Sequence, residues 1–151
     1  MKKIRAIRQH DQSDCGAACL CSIADAFGYH LPISRIRELA STDSHGTNVL
    51  GLVEAANKMG FIARGVRGPA EALSSAPIPS LAHLEIKQNL FHYVVLTSVG
   101  KKYIRFMDPD GGTIKRVARE TFQEQWTGVL IIVAPGPEFR KKNENPSLFN
   151  R

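Results

Sequence analysis

The chain has 151 residues, of which 43% are hydrophobic and 23% are charged, a composition typical of one soluble globular domain. No apolar run approaches the roughly 20 residues that a membrane-spanning helix requires, so no such helix is predicted. The three cysteines are an odd number and follow one another too closely along the chain for a disulfide framework, which favours a reducing compartment.

The net charge of +6 is concentrated at the two ends of the chain. Residues 1–10 carry four basic and no acidic groups, and residues 138–151 carry four basic and two acidic groups, so residues 11–137 are balanced. Nucleic-acid-binding proteins instead cluster their basic residues along one face of the fold. Nucleic acid is therefore not expected as a partner. The basic ends are interpreted as solvated tails or as segments near an acidic membrane surface.

The first half of the chain is predicted to be helical, after a short extended lead-in at Ile4–Gln9. Apolar residues at helical spacing, N-cap residues and terminating glycines define each helix. Asp14 stands at the N-cap position of the first helix, and Pro32 fits the first turn of the second. The predicted helices are Cys15 to Phe27, stopped by Gly28; Pro32 to about Ala40; and a third that is capped by Thr47 or Asn48 and ended by Gly60.

The second half is predicted to be strands. A Gly100-Lys101 turn joins two of them as a hairpin, and the segment Asp108–Gly112 is a dense turn signal. Helices followed by an antiparallel sheet make an α+β domain, whose functional site is expected where the two layers meet. The predicted strands are 61–66, 80–86, 91–99, 102–107, 113–117 and 129–133, with a short helix around 120–126.

The polar segment after Pro135 is predicted to leave the domain, because it is rich in proline, glycine and charged residues. The expected organisation is therefore one domain at residues 1–135, followed by a basic polar tail or linker at residues 136–151.

Cys15 stands directly at the start of the first predicted helix. Unpaired backbone N–H groups and the helix dipole stabilise a thiolate at that position, which favours a nucleophile. Gly16 is expected to leave the approach to the sulfur open. Cys19 and Cys21 lie deeper in the apolar helix and are predicted to be small core residues. Position alone leaves Cys15 equally open to a reactive and an inert role.

A nucleophilic cysteine needs a base, and the base needs a group that orients it. Among the five histidines, His92 begins a rigid apolar strand, and Asp108 ends the next strand of the predicted hairpin. Antiparallel pairing can bring these two side by side, so that Asp108 accepts from one ring nitrogen of His92. By themselves the residues favour a plainer interpretation, a strand-edge histidine and an aspartate that starts a turn.

Gln9 supplies a possible fourth group, six residues before Cys15. Its side-chain amide and the backbone N–H of Cys15 could together form an oxyanion hole. Taken alone, a glutamine near a helix start is more often a surface residue.

The segment Gln9–Leu20, with the sequence QHDQSDCGAACL, closely resembles the active-site segment of the double-glycine peptidases. These are the papain-like domains at the N-terminus of the peptidase-containing ABC transporters that mature and export bacteriocins. The resemblance covers the chain from about Ile4 to Pro135. It continues, in family order, through Gly46-Thr47 to Gly60-Phe61, His92–Leu96, Met107–Pro109 and Phe122–Gly128.

The resemblance implies a papain-like fold in which the helical half packs on a C-terminal antiparallel sheet. It implies cleavage of a precursor peptide after a Gly-Gly or Gly-Ala pair that ends an amphipathic, helical leader. Cys15 is then the nucleophile, His92 the general base and later acid, Asp108 the orienting group and Gln9 the oxyanion donor. Neither a cofactor nor a metal ion is expected. The leader is expected to bind in a shallow apolar groove, whose residues no motif marks.

The resemblance also implies partners and a location. Members of this family usually continue into a membrane domain and an ATPase, so the basic tail is expected to lead towards a transporter. The domain is then expected on the cytoplasmic side of a bacterial membrane.

Two other functions compete with the peptidase. The first is a catalytically silent module that docks leader peptides for an exporter. The second is a metal site built from Cys15, Cys19, Cys21 and a histidine, which is disfavoured because zinc sites usually need a second matched pair of ligands.

Overall fold

The computed structural model of the chain describes residues 1–40 and 47–146. His45, Gly46 and the end of the predicted tail lie outside that part of the chain. Within it, no helix is both long and apolar enough to cross a membrane.

Three helices form one layer of the fold, and all three are predicted from the sequence. The first is buried along its whole length, because its many small side chains let neighbouring elements approach closely. Gly28 and Gly60 end the first and third helices with φ of +96°, a conformation that glycine favours. Asn48 caps the third helix by accepting the Gly51 N–H at 2.8 Å. The helices are α1, Cys15–Ala26; α2, Ile33–Ala40; and α3, Val49–Lys58.

An antiparallel sheet of six strands forms the second layer, so the predicted α+β organisation is confirmed. One face packs on the helices in a core that includes Ile23, Leu52 and Val95. A short helix, α4, covers the other face, where Phe122 contacts Phe106. The remaining elements are β1, Tyr29–His30; β2, Phe61–Arg67; β3, Ser80–Lys87; β4, Leu90–Val99; β5, Tyr103–Asp108; β6, Thr113–Ala118; α4, Arg119–Gln125; β7, Trp126–Pro135; and β8, Lys142–Asn143. The sheet order is β2-β7-β3-β4-β5-β6.

The structure adds to the predicted elements in two places. β7 begins at Trp126, earlier than the predicted start at Val129, because Trp126 pairs with Leu84 of β3 ahead of an irregularity in the ladder. A 3-10 helix, Ala70–Ser75, follows β2 and buries Leu73 in the core beneath α4. Its sequence is short and lacks a periodic apolar pattern, so the sequence contains no signal for it.

The extended lead-in connects the two layers. The Lys2 N–H donates to the Ala26 carbonyl at 2.7 Å, at the end of α1, and the Gln9 N–H donates to the Pro109 carbonyl at 2.8 Å. Ile4 lies between these points and is buried in the helical core. The lead-in therefore runs along α1 and ends against the turn that follows β5.

The basic start of the chain, predicted to be a solvated tail or a segment near a membrane, has exposed basic side chains but lies along the domain. The Arg5 guanidinium donates to both carboxylate oxygens of Asp25, at 2.8 and 2.9 Å. The same carboxylate lies 2.5 Å from His30 Nδ1. The largely exposed Arg5 side chain thus ties the lead-in to α1 at the surface.

The segment after Pro135, predicted to be a polar tail, contacts the domain through one side chain. Phe139 packs against the core between helices and sheet, with ring-centroid distances of 4.6 Å to Phe61, 6.3 Å to Tyr29 and 6.5 Å to Phe27. Beyond it, β8 pairs in parallel with β1. The ordered domain therefore continues past residue 135, because one aromatic side chain anchors the segment back onto the fold.

We expect Phe139→Ala to lower the free energy of unfolding by about 2 kcal/mol, because a partly buried aromatic ring is lost from this cluster. For a chain of this size that loss corresponds to a fall of roughly 6 °C in the melting temperature. Glu138→Ala, which changes an exposed neighbour, is the control in thermal unfolding. Equal melting temperatures for the two variants would contradict the anchoring role of Phe139.

Candidate active site

The predicted hairpin brings His92 and Asp108 together. β4 and β5 pair antiparallel, with Val95 opposite Met107, so the start of β4 lies beside the end of β5. His92 Nε2 lies 2.7 Å from Asp108 Oδ1 in a buried hydrogen bond. This contact leaves Nδ1 of the imidazole ring for another partner.

Cys15 approaches His92 from the other layer. α1 packs against β4, which places the Cys15 side chain, at the first residue of α1, next to the His92 ring. Cys15 is 9% exposed, and His92 and Asp108 are each 8% exposed. The three side chains thus form a connected series, Cys15 to His92 to Asp108, at the junction of helices and sheet.

The proton affinity of His92 is raised by its neighbours. Burial by itself lowers the pKa of His92, but the hydrogen bonds to Asp108 and Cys15 outweigh it and raise this pKa from 6.5 to about 9. At neutral pH the ring therefore carries a proton and a positive charge next to the Cys15 sulfur. An imidazolium in this position stabilises a thiolate, which is the reactive form of cysteine.

Asp108 remains ionised throughout the working pH range. Burial raises the pKa of its carboxyl, but the hydrogen bonds from His92, Lys115 and the Asp110 N–H outweigh that effect and lower this pKa to about 2. Oδ1 accepts from His92 and from the Asp110 N–H, the latter at 2.9 Å. Oδ2 accepts from Lys115 Nζ at 2.9 Å. The carboxylate therefore orients the imidazole ring while both of its own oxygens are held.

Sequence reasoning missed Lys115. It lies on β6, where Asp108 pairs with Thr113, so Lys115 is the diagonal neighbour of Asp108 across the two strands. The turn signal at Asp108–Gly112 indicates a hairpin, but the register of β5 on β6 decides which β6 side chain reaches the carboxylate.

The backbone of Gln9 is hydrogen-bonded next to Asp108. Its N–H bonds to the carbonyl of Pro109, the residue after Asp108. The side-chain Oε1 of Gln9 is buried and, among the described residues, has no hydrogen-bonding partner. The amide is thus held in the interior near the site without its oxygen being committed to another protein group.

Asp14 occupies the N-cap position of α1, as predicted, but its side chain does not cap that helix. Its Oδ2 instead accepts the backbone N–H groups of His10 and Asp11, each at 3.2 Å. Its Oδ1 forms an ion pair with Arg37 Nη1 of α2 at 2.9 Å, and the side chain is fully buried. The carboxylate therefore holds the loop that joins Gln9 to Cys15, because it reaches back along the chain.

Gly16 has a packing role that the sequence did not indicate. A Cβ atom at this position would lie 2.8 Å from Leu52 Cδ1 and 3.3 Å from a ring carbon of Tyr93. Glycine therefore favours the close packing of α1 on α3 and β4.

The other cysteines are core residues, as predicted. Cys19 is fully buried, and burial raises the pKa of its thiol well above the usual value. The Cys21 Sγ donates to the Leu31 carbonyl at 3.2 Å, and burial raises the pKa of this thiol to about 12. Within residues 1–40 and 47–146, no three histidine, cysteine or acidic side chains are grouped so as to hold a metal ion.

We expect Arg37→Met to destabilise the protein by about 1–2 kcal/mol, because it leaves the fully buried Asp14 carboxylate without its counter-ion. The value is below that of a fully buried pair, since the Arg37 side chain is 34% exposed. Arg35→Met on the same helix is the control, because the pair that Arg35 forms with Glu38 at 3.3 Å is exposed. Urea unfolding of both variants tests this expectation, and equal midpoints would contradict it.

Comparison with known proteins places the chain among peptidases. Residues 3–138 match the peptidase C39 family. The chain is 37% identical to the transport/processing ATP-binding protein ComA of Streptococcus pneumoniae, covering 90% of this chain and 19% of that protein. It is also 37% identical to the lactococcin-G-processing and transport ATP-binding protein LagD of Lactococcus lactis subsp. lactis, covering 95% of this chain and 20% of that protein. The chain thus spans about a fifth of the length of these relatives.

Solved structures show the same similarity. The peptidase domain of Streptococcus ComA superposes with a TM-score of 0.81 and 34% identity, covering 88% of this chain and 99% of that one. A double glycine motif protease from an AMS/PCAT transporter, in complex with its leader peptide, superposes with a TM-score of 0.80 and 28% identity, covering 88% and 92%.

These similarities extend over nearly the whole of both domains and confirm the papain-like fold that the resemblance implies. The family match over residues 3–138 likewise includes both the helices and the six-stranded sheet. The chain belongs to the peptidase C39 family and is a cysteine peptidase domain.

Proposed function

We propose that this domain is a cysteine endopeptidase that removes the N-terminal leader from bacteriocin- or lanthipeptide-type precursor peptides. It cleaves after a Gly-Gly or Gly-Ala pair at the end of the leader. The observation that carries the proposal is the buried group of Cys15, His92 and Asp108, in which His92 is hydrogen-bonded to Asp108 and lies next to Cys15. The substrate class is supported by the relatives, which include a double glycine motif protease in complex with its leader peptide.

Cys15 is the nucleophile in this proposal. Its thiolate sulfur attacks the carbonyl carbon of the second glycine, and the carbonyl oxygen takes up the negative charge. The His92 imidazolium then donates its proton to the leaving amine, which releases the mature peptide and leaves the leader as a thioester on Cys15. His92, now neutral, accepts a proton from a water molecule that hydrolyses the thioester and regenerates the thiolate.

Gln9 and the backbone N–H of Cys15 bind the oxyanion in this scheme. Two observations support the role of Gln9: its backbone is fixed to Pro109, and its side-chain oxygen is buried without a partner among the described residues. Removing one oxyanion donor typically slows catalysis by about 10²- to 10³-fold. Asp108 orients the imidazole ring through Nε2 and stabilises its protonated form.

The burial of the reacting groups supports a preference for glycine. Only 9% of Cys15 is exposed, so the scissile bond has to approach the sulfur through a narrow opening. Residues without a Cβ atom can enter such an opening with their backbone close to the walls. An amphipathic leader helix that binds elsewhere on the domain then supplies binding energy at a distance from the reacting bond.

We further propose that the domain works as the peptidase part of an ABC transporter, on the cytoplasmic side of the membrane. The relatives are transport and processing proteins with ATP-binding parts, and this chain matches about a fifth of their length. In this proposal the basic segment after Phe139 leads towards the membrane domain.

Mass spectrometry of the products tests the function directly. The domain is incubated with a precursor peptide whose leader ends in Gly-Gly, and in parallel with a variant whose last glycine is changed to valine. We expect cleavage only after the intact pair, and we expect iodoacetamide to block it. Binding of several Gly-Gly leaders without cleavage would overturn the enzyme and favour a docking module. Cleavage of the valine peptide at the same bond would overturn the specificity.

The cleavage rate should also depend on the proton carried by His92. Because the pKa of His92 is raised to about 9, we expect kcat/KM to fall as the pH rises through about 9. The same shift means that His92 stabilises the folded state below its usual pKa of 6.5, and that this stabilisation is lost as the pH rises from 6.5 to about 9. His10→Gln, which alters an exposed histidine, should leave the basic limb in place. A basic limb near pH 6.5 would contradict the assignment.

A further inference from the structure

The outer oxygen of the Asp108 carboxylate is held by a lysine that the proposed mechanism does not use. Asp108 Oδ1 faces His92 and the Asp110 N–H, whereas Oδ2 accepts from Lys115 Nζ at 2.9 Å. The Asp108 side chain is 11% exposed, whereas that of Lys115 is 48% exposed. A positive charge therefore lies at the solvent end of an otherwise buried series of proton-binding groups.

We propose that Lys115 is a positioning residue that fixes the outer oxygen of Asp108 and limits how strongly this carboxylate holds the proton of His92. The inference rests on the proposed function, since it concerns the same site. His92 has to accept a proton and then release it to the leaving amine. Part of the carboxylate charge is balanced by Lys115, so the imidazolium releases its proton more readily than it would beside an uncompensated carboxylate.

Lys115 is the lysine or arginine in direct contact with Asp108 among the described residues. The helix layer contributes cysteine side chains, and the lead-in contributes Arg8, whose stem lies against the following turn. Among the described residues, the titratable and charged groups on the elements around the carboxylate include His92 of β4, Lys115 of β6, Cys15 and Cys19 of α1, Asp110 of the turn, and Arg8 of the lead-in beside Gly112.

β6 offers a matched control at Arg116, the residue after Lys115. Arg116 is also basic and exposed, but it pairs across the strands with Arg105 and lies over the Tyr103 ring, 4.3 Å from its centroid. Lys115→Met and Arg116→Met each remove one positive charge from β6. Only the first removes a charge that contacts Asp108.

The first readout needs no peptide. The His92 imidazole resonances are titrated by NMR in the wild-type domain and in both variants. We expect the midpoint in Lys115→Met to rise by about half a pH unit, a modest value because Lys115 is half exposed and solvent screens its charge. Arg116→Met should titrate like the wild type, and Lys115→Arg should restore the wild-type midpoint. A midpoint that is unchanged or lower in Lys115→Met would overturn the proposal.

The second readout is the pH dependence of cleavage. In Lys115→Met we expect the basic limb of kcat/KM to move upward by the same half unit, and the plateau to fall by about 2- to 5-fold because the imidazolium gives up its proton less readily. A fall in the plateau with an unmoved limb would mean that Lys115 has only a structural role, and would overturn the proposal. If no double-glycine peptide is cleaved by the wild type, the proposed function fails, while the NMR titration still decides the role of Lys115.

Discussion

The Cys15→Ala variant is expected to lose cleavage by at least about 10⁴-fold while it still binds the precursor peptide. In the proposed mechanism the Cys15 sulfur forms the covalent intermediate, and no other described thiol is placed to replace it. Cys19 is fully buried, and Cys21 donates its proton to a backbone carbonyl inside the core. Cleavage is followed by mass spectrometry and binding by calorimetry, both with the same Gly-Gly precursor.

Cys19→Ala is the matched control for this prediction, since it makes the same chemical change one helical turn further along α1. It should keep nearly all of the activity and lose about 1 kcal/mol of stability, because a small core side chain is trimmed. Intact-mass analysis after brief iodoacetamide treatment should show one added group in the wild type and none in Cys15→Ala. Cleavage by Cys15→Ala at the same bond would rule out Cys15 as the nucleophile.

The Asp108→Asn variant is expected to reduce kcat by about 10²- to 10⁴-fold with little change in fold. An amide has one accepting and one donating end, whereas the carboxylate accepts on both. Lys115 donates to the outer oxygen at 2.9 Å, so the asparagine should turn its carbonyl towards Lys115 and its NH₂ towards His92. The imidazole then loses its acceptor at Nε2 and is held in the wrong protonation state.

Asp110→Asn is the control for this second prediction. It makes the same substitution two residues away, at an exposed position, and it keeps the backbone N–H that donates to Asp108. Its activity should stay within about two-fold of the wild type, as is usual for surface substitutions. The test is the kcat of both variants from steady-state kinetics, and thermal unfolding verifies that both are folded. More than half of the wild-type kcat in Asp108→Asn would contradict the orienting role.

The elements of the fold were largely predictable because their signals are local. Gly28 and Gly60 end helices at positive φ, Asn48 caps α3, and the Gly100-Lys101 turn joins β4 to β5. Each of these signals depends on a few neighbouring residues and their backbone preferences. The composition of residues 136–144 indicates a polar tail but gives no sign of the packing of Phe139, because a single aromatic residue among polar ones carries little weight in a local pattern.

In the candidate site, too, features with local signals were predictable and features that depend on distant contacts were not. One short hairpin makes the pairing of His92 with Asp108 possible, and Cys15 stands at a helix start, but it was the resemblance to the double-glycine peptidases that selected these residues. The ion pair of Asp14 and the close packing at Gly16 were not predicted, because each depends on contacts with elements far away in the sequence. No local signal shows that a carboxylate at a helix start pairs with an arginine of the next helix.

The sequence by itself determined the order of helices and strands, the residues of the proposed catalytic series and the family resemblance, because these lie in short motifs and periodic patterns. Only the tertiary structure decided which groups complete the site. Lys115 reaches Asp108 through the register of β5 on β6, and Arg37 reaches Asp14 through the packing of α2 on α1. Both contacts depend on strand register and helix packing, which arise when distant segments bury their apolar faces together and which no local pattern specifies.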